Sequence, residues 1–263
     1  MKTKLLISLV LIGGLSCSKV PILNRKQLNL LPESQLISMS LTNYQDFLQT
    51  NPPLPASESN AQLVTRVGQK VSSAVDLFMR QNKMADRIKG YNWEFNTVSN
   101  PQVNAWCMPG GKIVVYTGLL PITQDEASLA AVIGHEIGHA IARHGNERMS
   151  QMLVAETGGI ALDVATANKS EQTRTMFQTA YGIGTTVGAI LPYSRLQETE
   201  ADKLGLIFMA MAGYDPSVAI GLWQRMSKAG GSKPPEMLST HPSDETRIKN
   251  IRNYLPTAMK YKR

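Results

Sequence analysis

The feature that most constrains this chain is a His-Glu-x-x-His pattern at positions 135–139, set in an apolar stretch with helical periodicity. Residues four apart lie on one face of an α-helix, so His135 and His139 can bind the same metal ion. Glu136 lies about 100° round the helix, within reach of a water molecule beside that metal. A catalytic zinc ion takes three protein ligands and leaves one position open. The pattern therefore predicts two zinc ligands and a general base, and it requires a third ligand elsewhere.

The residues around this pattern favour a functional metal site over a chance pair of histidines. The histidines lie roughly 200° from an apolar stripe, so that they would face a cleft while the stripe packs on the core. Thr123 and Glu126 have the spacing of a capping box, which predicts the start of the helix. The stripe consists of residues at every fourth position: Leu129, Ile133, Ile137 and Ile141.

The bulk composition predicts one domain of ordinary size and argues against a nucleic-acid partner. The chain has 263 residues, of which 43% are hydrophobic, enough for a substantial core. The net charge of +7 comes from scattered lysines and arginines, without the basic stripe interleaved with aromatic residues that nucleic-acid binding requires.

The N-terminus has the pattern of an export signal. Lys2 and Lys4 precede an apolar run at positions 5–15, which is too short to span a bilayer. Cys17 follows directly, as in a bacterial lipobox, so we expect a signal peptide at 1–16 and a lipid anchor on Cys17. A plain secretory signal with an incidental cysteine is the alternative. The remaining cysteine, Cys107, is then a free buried thiol, or more weakly a disulfide partner of Cys17.

Strand patterns precede the motif helix. After a tethering and wrapping segment at 17–60, the predicted catalytic domain runs over 61–263, with a helix at 61–84 and strands at 91–98, 102–108 and 112–116. The strands predict a small antiparallel sheet whose exposed edge accepts an extended peptide. Asn104, Ala105 and Trp106 are the predicted substrate-binding part of that edge. An ordinary structural strand is the alternative.

A second stretch carries paired carboxylates on a helix predicted at 196–212. Glu198 and Asp202 are four residues apart and share one face. One of them would bind zinc, and the other would accept the free ring N–H of a ligating histidine. Alone, the pair would be read as a solvated acidic face.

Three further residues are candidates for stabilising the negatively charged oxygen that peptide hydrolysis creates: Tyr193, Arg195 and His241. His241 lies in a loop before the last predicted helix, and it has a second predicted role as a fourth zinc ligand that keeps the enzyme latent. Residues 147–190 predict two helices, either a lid over the cleft or ordinary structural helices.

The chain resembles the gluzincin metalloendopeptidases related to the CAAX prenyl protease and the HtpX heat-shock protease, and most closely their exported lipoprotein members and the mitochondrial OMA peptidase. The resemblance implies a zincin-like α+β fold, mostly helical, with one Zn²⁺ per chain. It also implies the ligands His135, His139 and Glu198, the general base Glu136, and Asp202 as partner of a ligating histidine. It rests on the two motifs above and on these blocks: Asn104-Ala105-Trp106, Pro109-Gly110-Gly111-Lys112-Ile113, Gly118-Leu119-Leu120-Pro121, Ala142-Arg143-His144-Gly145, Ser194-Arg195 and Ser239-Thr240-His241-Pro242.

The expected function is therefore zinc-dependent hydrolysis of unfolded or misassembled polypeptides of the cell envelope. The expected location is the periplasmic side of a bacterial envelope, anchored to the outer membrane, with envelope assembly machinery as a further partner. A chaperone-like or scaffolding lipoprotein with a latent metal site is the alternative. A non-peptide amidohydrolase fits the metal site but does not use the strand edge.

Overall fold

The structure, a computed structural model, describes residues 17–185, 191–229 and 245–263. Its described part is mostly helical with two small sheets, which confirms the predicted α+β class. The strands are β1 (Cys17–Lys19), β2 (Lys26–Leu28), β3 (Glu94–Val98), β4 (Ala105–Met108) and β5 (Lys112–Tyr116). The helices are α1 (Glu33–Thr50), α2 (Ser59–Gln81), α3 (Leu120–Thr123), α4 (Glu126–Ala142), α5 (His144–Thr166), α6 (Glu171–Thr185), α7 (Leu191–Met211), α8 (Val218–Ala229) and α9 (Glu245–Met259).

The three predicted strands form one sheet, but its order is β3-β5-β4 and it is mixed rather than antiparallel. β5 pairs parallel with β3 and antiparallel with β4. The prediction of an all-antiparallel sheet was wrong because β5 lies between the two strands that precede it. The tight turn at Gly110 and Gly111, both with positive φ, reverses β4 into β5, whereas β3 and β4 do not pair. Strand patterns in a sequence indicate the strands but not their order in space.

The motif helix α4 is buried on every side from Ser128 to Ala142, so its histidines lie inside the molecule rather than on one exposed face. Its N-cap is Asp125, whose side chain accepts a hydrogen bond from Ser128 N at 2.7 Å. The predicted Thr123 cap was wrong. Thr123 ends α3 and donates to Leu120 O, and Gln124, with φ 67°, separates the two helices.

Helix α7 begins five residues earlier than predicted and packs on α4 more extensively than any other pair of described elements. Glycines allow this close approach. A β-carbon at Gly138 would lie 2.7 Å from Ala201 O, and one at Gly205 would lie 2.7 Å from His135 N. The approach brings the two motif helices to the separation at which their side chains share one site.

Helices α5 and α6 occupy the region predicted as two helices and pack on each other. Arg143, at φ 60°, ends α4 and turns the chain into α5. Several large apolar side chains on the pair are exposed. The lid hypothesis stays a prediction. No helix in the described part of the chain is long and apolar enough to cross a membrane.

The N-terminal segment lies against the body of the molecule. β1 and β2 pair antiparallel and, with the turn between them, form a ribbon over residues 17–28, here called the N-terminal ribbon. It packs on α5, where Leu30 N donates to Ser150 Oγ at 2.8 Å just beyond β2. α1 packs on the sheet through Tyr44 and Phe47, whose rings contact Trp106 edge-on.

Candidate metal centre

The packing of α4 on α7 brings His135, His139 and Glu198 together in the interior. Their ligand atoms all lie within 4.8 Å of one another, and all three residues are buried. His135 Nε2 lies 3.1 Å from His139 Nε2 and 3.3 Å from Glu198 Oε2. His139 Nε2 lies 3.2 Å from Glu198 Oε1. The carboxylate of one helix therefore faces the two imidazoles of the other.

These three separations fit a tetrahedral metal ion. Zinc bonds of roughly 2.0–2.2 Å at tetrahedral angles place neighbouring ligand atoms roughly 3.3–3.6 Å apart, close to the separations observed. Two histidines and one glutamate are also a ligand set found in catalytic zinc sites. The residues present therefore fit the metal that the sequence predicts.

The formal charges around the ligands suit a divalent cation as well. Glu136, Glu198 and Asp202 are buried carboxylates, and Arg247 is the cation in contact with the latter two. With the two imidazoles neutral, as metal binding requires, these four side chains carry a formal surplus of two negative charges. Buried charge is costly unless it is paired, so a divalent ion stabilises this arrangement.

His135 is oriented from behind by Asp202, as predicted for one of the two carboxylates. His135 Nδ1 lies 2.9 Å from Asp202 Oδ1, which leaves Nε2 for the metal. Arg247 binds the same carboxylate twice, from Nε to Oδ2 at 2.8 Å and from Nη2 to Oδ1 at 2.7 Å. Its guanidinium stacks on Trp223, with Cζ 3.5 Å from the ring centroid.

His139 has a longer chain of partners. Its Nδ1 lies 2.8 Å from His144 Nδ1, and His144 Nε2 lies 3.0 Å from Glu200 Oε2. Arg148 Nη2 is 3.5 Å from His139 Nδ1, at the limit of a hydrogen bond. Arg25, from the N-terminal ribbon, binds both oxygens of Glu200. Each imidazole in the cluster thus has a polar partner on the ring nitrogen that faces away from the other ligands.

The two candidate ligand histidines have opposite pKa shifts. Burial lowers the pKa of His139 well below its usual range, so its ring is neutral as a metal ligand must be. Burial and Arg247 also lower the pKa of His135, but Asp202 and Glu198 outweigh them and raise it to about 9. Protons therefore compete with the metal mainly at His135.

The nearby carboxylates stay ionised. Burial alone would raise the pKa of Asp202, yet Arg247 and His135 hold it below its usual value. Burial likewise opposes ionisation of Glu200, and Arg25 and His144 lower its pKa in turn. Ionised carboxylates at these positions accept the N–H groups of the imidazoles that they face.

A cleft of about 420 Å³ opens beside the cluster and is lined by Glu136 and His139 from α4. Strand β4 and the residue before it also line the cleft, together with residues of α1 and α5, so Asn104, Ala105 and Trp106 lie in this cleft as well. Among the described residues β4 pairs only with β5, so its outer edge forms no strand pairing there, and the strand lines the cleft. Trp106 also packs on α1, so that it has a structural role beside any contact with a ligand.

The outer edge of β4 presents backbone groups at alternate residues. Asn104 O accepts from Tyr116 N, and Met108 O accepts from Gly111 N, so these residues bond towards β5. Backbone groups alternate sides along an antiparallel strand, and those of Ala105 and Cys107 therefore point away from β5. Cys107 is a free thiol, and burial raises its pKa well above the usual value, with Glu136 adding to the effect.

The remaining predicted residues are not brought into the cluster by the described structure. Arg195 lies on α7 with an exposed side chain, and its carbonyl accepts a hydrogen bond from Thr199. Tyr193 lies in the first turn of α7, but its side chain is outside what the structure describes. His241 lies outside the described residues altogether, and Cys17 is the first described residue, in β1.

Sequence reasoning missed two arginines and one glutamate that support the ligands. Arg247 lies on α9 four residues before the buried Ile251, so a cation at a core-facing helical position was a detectable signal. Glu200 falls between the two predicted carboxylates but was not singled out. Arg25 carries no local signal, because its partners are 122 and 175 residues away in the chain.

The fold and the cluster define a class of protein: a zincin-like chain with two histidines on one helix and a glutamate on a second. The model of Peptidase family M48 matches residues 64–255. The chain belongs to this family.

Curated relatives carry the same family resemblance over most of the chain. The mitochondrial metalloendopeptidase OMA1 of Schizosaccharomyces pombe is 33% identical over 243 residues, covering 91% of this chain and 66% of the relative. OMA1 of Arabidopsis thaliana is 41% identical over 62% of this chain and 31% of the relative. The β-barrel assembly-enhancing protease of Yersinia pestis is 32% identical over 61% of this chain and 34% of the relative. The chain thus spans between about a third and two-thirds of these relatives' lengths.

Proposed function

We propose that this protein is a zinc-dependent endopeptidase that hydrolyses unfolded or misassembled proteins of the bacterial cell envelope. The observation that carries the proposal is the shared cleft, which Glu136 and the ligand His139 line together with strand β4. Membership of Peptidase family M48 and the metalloendopeptidase names of the relatives support it.

The proposed ligands are His135, His139 and Glu198, and zinc, when bound, supplies Lewis-acid catalysis by polarising the scissile carbonyl and acidifying water. Glu136 acts as general base: its carboxylate takes a proton from the attacking water and passes it to the leaving amine nitrogen. Its burial beside the cleft excludes bulk water from this transfer. Tyr193, Arg195 and His241 remain the proposed candidates for stabilising the developing oxyanion, with His241 alternatively a latency ligand.

The outer edge of β4 is proposed to bind the substrate as an added strand. The N–H and C=O groups of Ala105 and Cys107 would bond to an extended peptide, and side-chain contacts from Asn104 and Trp106 would complete the edge. Binding through the backbone depends little on substrate sequence but requires an extended chain. This requirement supports unfolded polypeptides as the substrate class.

The proposed location follows from the N-terminal signal and from the bacterial relatives. We propose that residues 1–16 are removed, that Cys17 carries the lipid anchor, and that 17–60 tethers the domain at 61–263 to the periplasmic side of the outer membrane. The names of the relatives from Yersinia pestis and Escherichia coli refer to β-barrel assembly, which supports envelope assembly machinery as a partner. Incorporation of labelled fatty acid by the wild type but not by Cys17→Ala would support this; equal labelling would refute it.

The decisive experiment compares zinc content and casein cleavage in the wild type, Glu136→Gln and Glu126→Gln. Glu126 lies on the same helix but is partly exposed at its first turn, so it is a matched control. Loss of the general base should lower cleavage by about 10²–10⁴-fold at unchanged zinc content, whereas the control should cleave normally. Zinc binding without cleavage by any of the three would instead favour the scaffolding alternative with a latent site.

A further inference from the structure

The two ligating histidines have different polar partners, and the partners of His139 extend to the N-terminal ribbon. Asp202 contacts the ring of His135 directly. His139 instead contacts His144, which contacts Glu200, and Glu200 contacts Arg25. We call this second series the polar relay. The four residues come from α4, α5, α7 and the ribbon, and their contacts are 2.8 Å (His139 to His144), 3.0 Å (His144 to Glu200) and 2.6–2.9 Å (Glu200 to Arg25).

The chemistry of the relay allows one direction of hydrogen bonding. Nε2 of His139 faces the other ligands, so its ring proton is on Nδ1 and is donated to His144 Nδ1 at 2.8 Å; Arg148 Nη2, at 3.5 Å, is too distant to compete as a donor to the same atom. His144 must then accept at Nδ1 and carry its own proton on Nε2, which it donates to Glu200 Oε2. A neutral histidine can satisfy both contacts only in this tautomer. The orientation of Glu200 therefore determines the tautomer of His144 and, through it, the ring of His139.

Arg25 holds the Glu200 carboxylate in that orientation. Its Nε and Nη2 donate to the two oxygens of Glu200, while Nη1 and Nη2 donate to the two oxygens of Glu147. Nη1 also donates to Lys26 O at 3.2 Å, so each of its five N–H groups has an acceptor. Both carboxylates are buried, with side-chain exposures of 1% for Glu147 and 2% for Glu200. Because Arg25 forms a bidentate pair with each of these two carboxylates, the Glu200 carboxylate has little freedom to rotate.

The backbone around Arg25 is itself held by hydrogen bonds. The turn is closed by Val20 N donating to Arg25 O at 2.9 Å, and the ribbon is held by Arg87, which donates to Lys19 O and Gln27 Oε1. Residues 17–28 lie outside the 64–255 that the family model matches. The relay thus extends from the family's domain into a separate segment of this chain.

We propose that Arg25 is a positioning residue for the metal site: by holding Glu200 it orients His144 and His139, so that the N-terminal ribbon completes the site. The inference rests on the proposed metal-dependent function. Partners one step behind a ligand typically change metal affinity 10–100-fold. Arg25 acts through two further residues, so Arg25→Gln should weaken zinc binding by about tenfold, at the low end of that range.

The test measures zinc affinity by competition with a chromophoric chelator, and the d–d absorption of the cobalt-substituted protein, in Arg25→Gln and Arg87→Gln. Arg87 anchors the same ribbon and also donates from Nε to Ile141 O on α4, but it contacts no member of the relay, so its variant reports the loss of a ribbon anchor with the relay contacts left in place. We expect weaker zinc binding and an altered cobalt spectrum only in Arg25→Gln. Wild-type affinity and spectrum in that variant, or an equal loss in Arg87→Gln, would overturn the proposal.

A second pair of variants covers the case in which Arg25→Gln does not fold. Glu147→Gln and Glu200→Gln each remove one charge facing Arg25, but only Glu200 belongs to the relay. Glu200→Gln should weaken zinc binding more than Glu147→Gln does, because Glu147 acts on the relay only through Arg25; equal affinities would overturn the proposal. If the wild type binds zinc and cleaves casein while these variants bind zinc normally, this inference fails alone. A wild type that binds no zinc overturns it together with the proposed function.

Discussion

Replacing Gly205 with alanine should weaken metal binding far more than it weakens the fold. A β-carbon at this position would lie 2.7 Å from His135 N, whereas ordinary van der Waals contact begins at 3.4 Å. The atom in the way is backbone, which cannot rotate aside as the end of a side chain can. Helices α4 and α7 must therefore separate by about 0.7 Å (3.4 − 2.7).

The two effects differ in size because the metal site tolerates less displacement than the core does. Overpacking a core lowers the free energy of unfolding by about 1–3 kcal/mol, whereas alanine in place of glycine inside a helix raises it by about 1 kcal/mol. The net loss of stability is then about 0–2 kcal/mol. Metal–ligand distances tolerate only about 0.2 Å. A shift of about 0.7 Å moves Glu198 away from both histidines, and we expect at least a tenfold loss of zinc affinity, on the order of 1.4 kcal/mol.

The assay combines chelator competition for zinc with urea unfolding of the metal-free protein, so that bound metal does not contribute to the measured stability. Gly221→Ala on α8 is the control. A β-carbon there would lie 3.5 Å from the nearest atom, Nη1 of Arg225, so the variant should gain up to about 1 kcal/mol and bind zinc normally. Wild-type zinc affinity in Gly205→Ala would refute the argument that this contact sets the ligand spacing.

Three other predictions follow from the contacts and pKa shifts around the site. Arg247→Met leaves the Asp202 carboxylate buried without its guanidinium, and should lower the free energy of unfolding by about 3–5 kcal/mol in urea titrations of the metal-free protein. The raised pKa of Cys107 should make its alkylation by iodoacetamide at pH 8 slow in the folded protein and fast in urea; equal rates would contradict this. The pKa of Glu200 is lowered from 4.5 by folding, so the folded state binds fewer protons than the unfolded state; stability should fall as the pH drops below about 4.5, and less steeply in Glu200→Gln.

Much of the candidate site could be predicted because its two motifs are local. The spacing of His135 and His139, and that of Glu198 and Asp202, each specify a shared helix face within one turn and a half. Helix periodicity placed α4 and most of α7, and alternation placed the three strands of the sheet. These patterns depend on residues within about ten positions of each other, which a single sequence displays directly.

Other features of the fold required the three-dimensional structure. The sheet order and the parallel pairing of β3 with β5 depend on which strand lies between the others, and local alternation carries no such information. Asp125 caps α4 instead of the predicted Thr123, because the Thr123 side chain bonds to Leu120 O within the last turn of α3. In both cases a neighbouring element decided between two arrangements that the local pattern permits.

By itself the sequence determined the helical motif residues, the carboxylate pair and the general class of fold, because each depends on periodicity along one element. Only the tertiary structure decided how closely α4 and α7 approach and which residues orient the ligands. Arg247 reaches His135 across 112 residues of chain, and Arg25 reaches Glu200 across 175. Contacts at such separations arise from the packing of whole elements. A local pattern can mark Arg247 as core-facing, but it does not encode which residue the side chain meets.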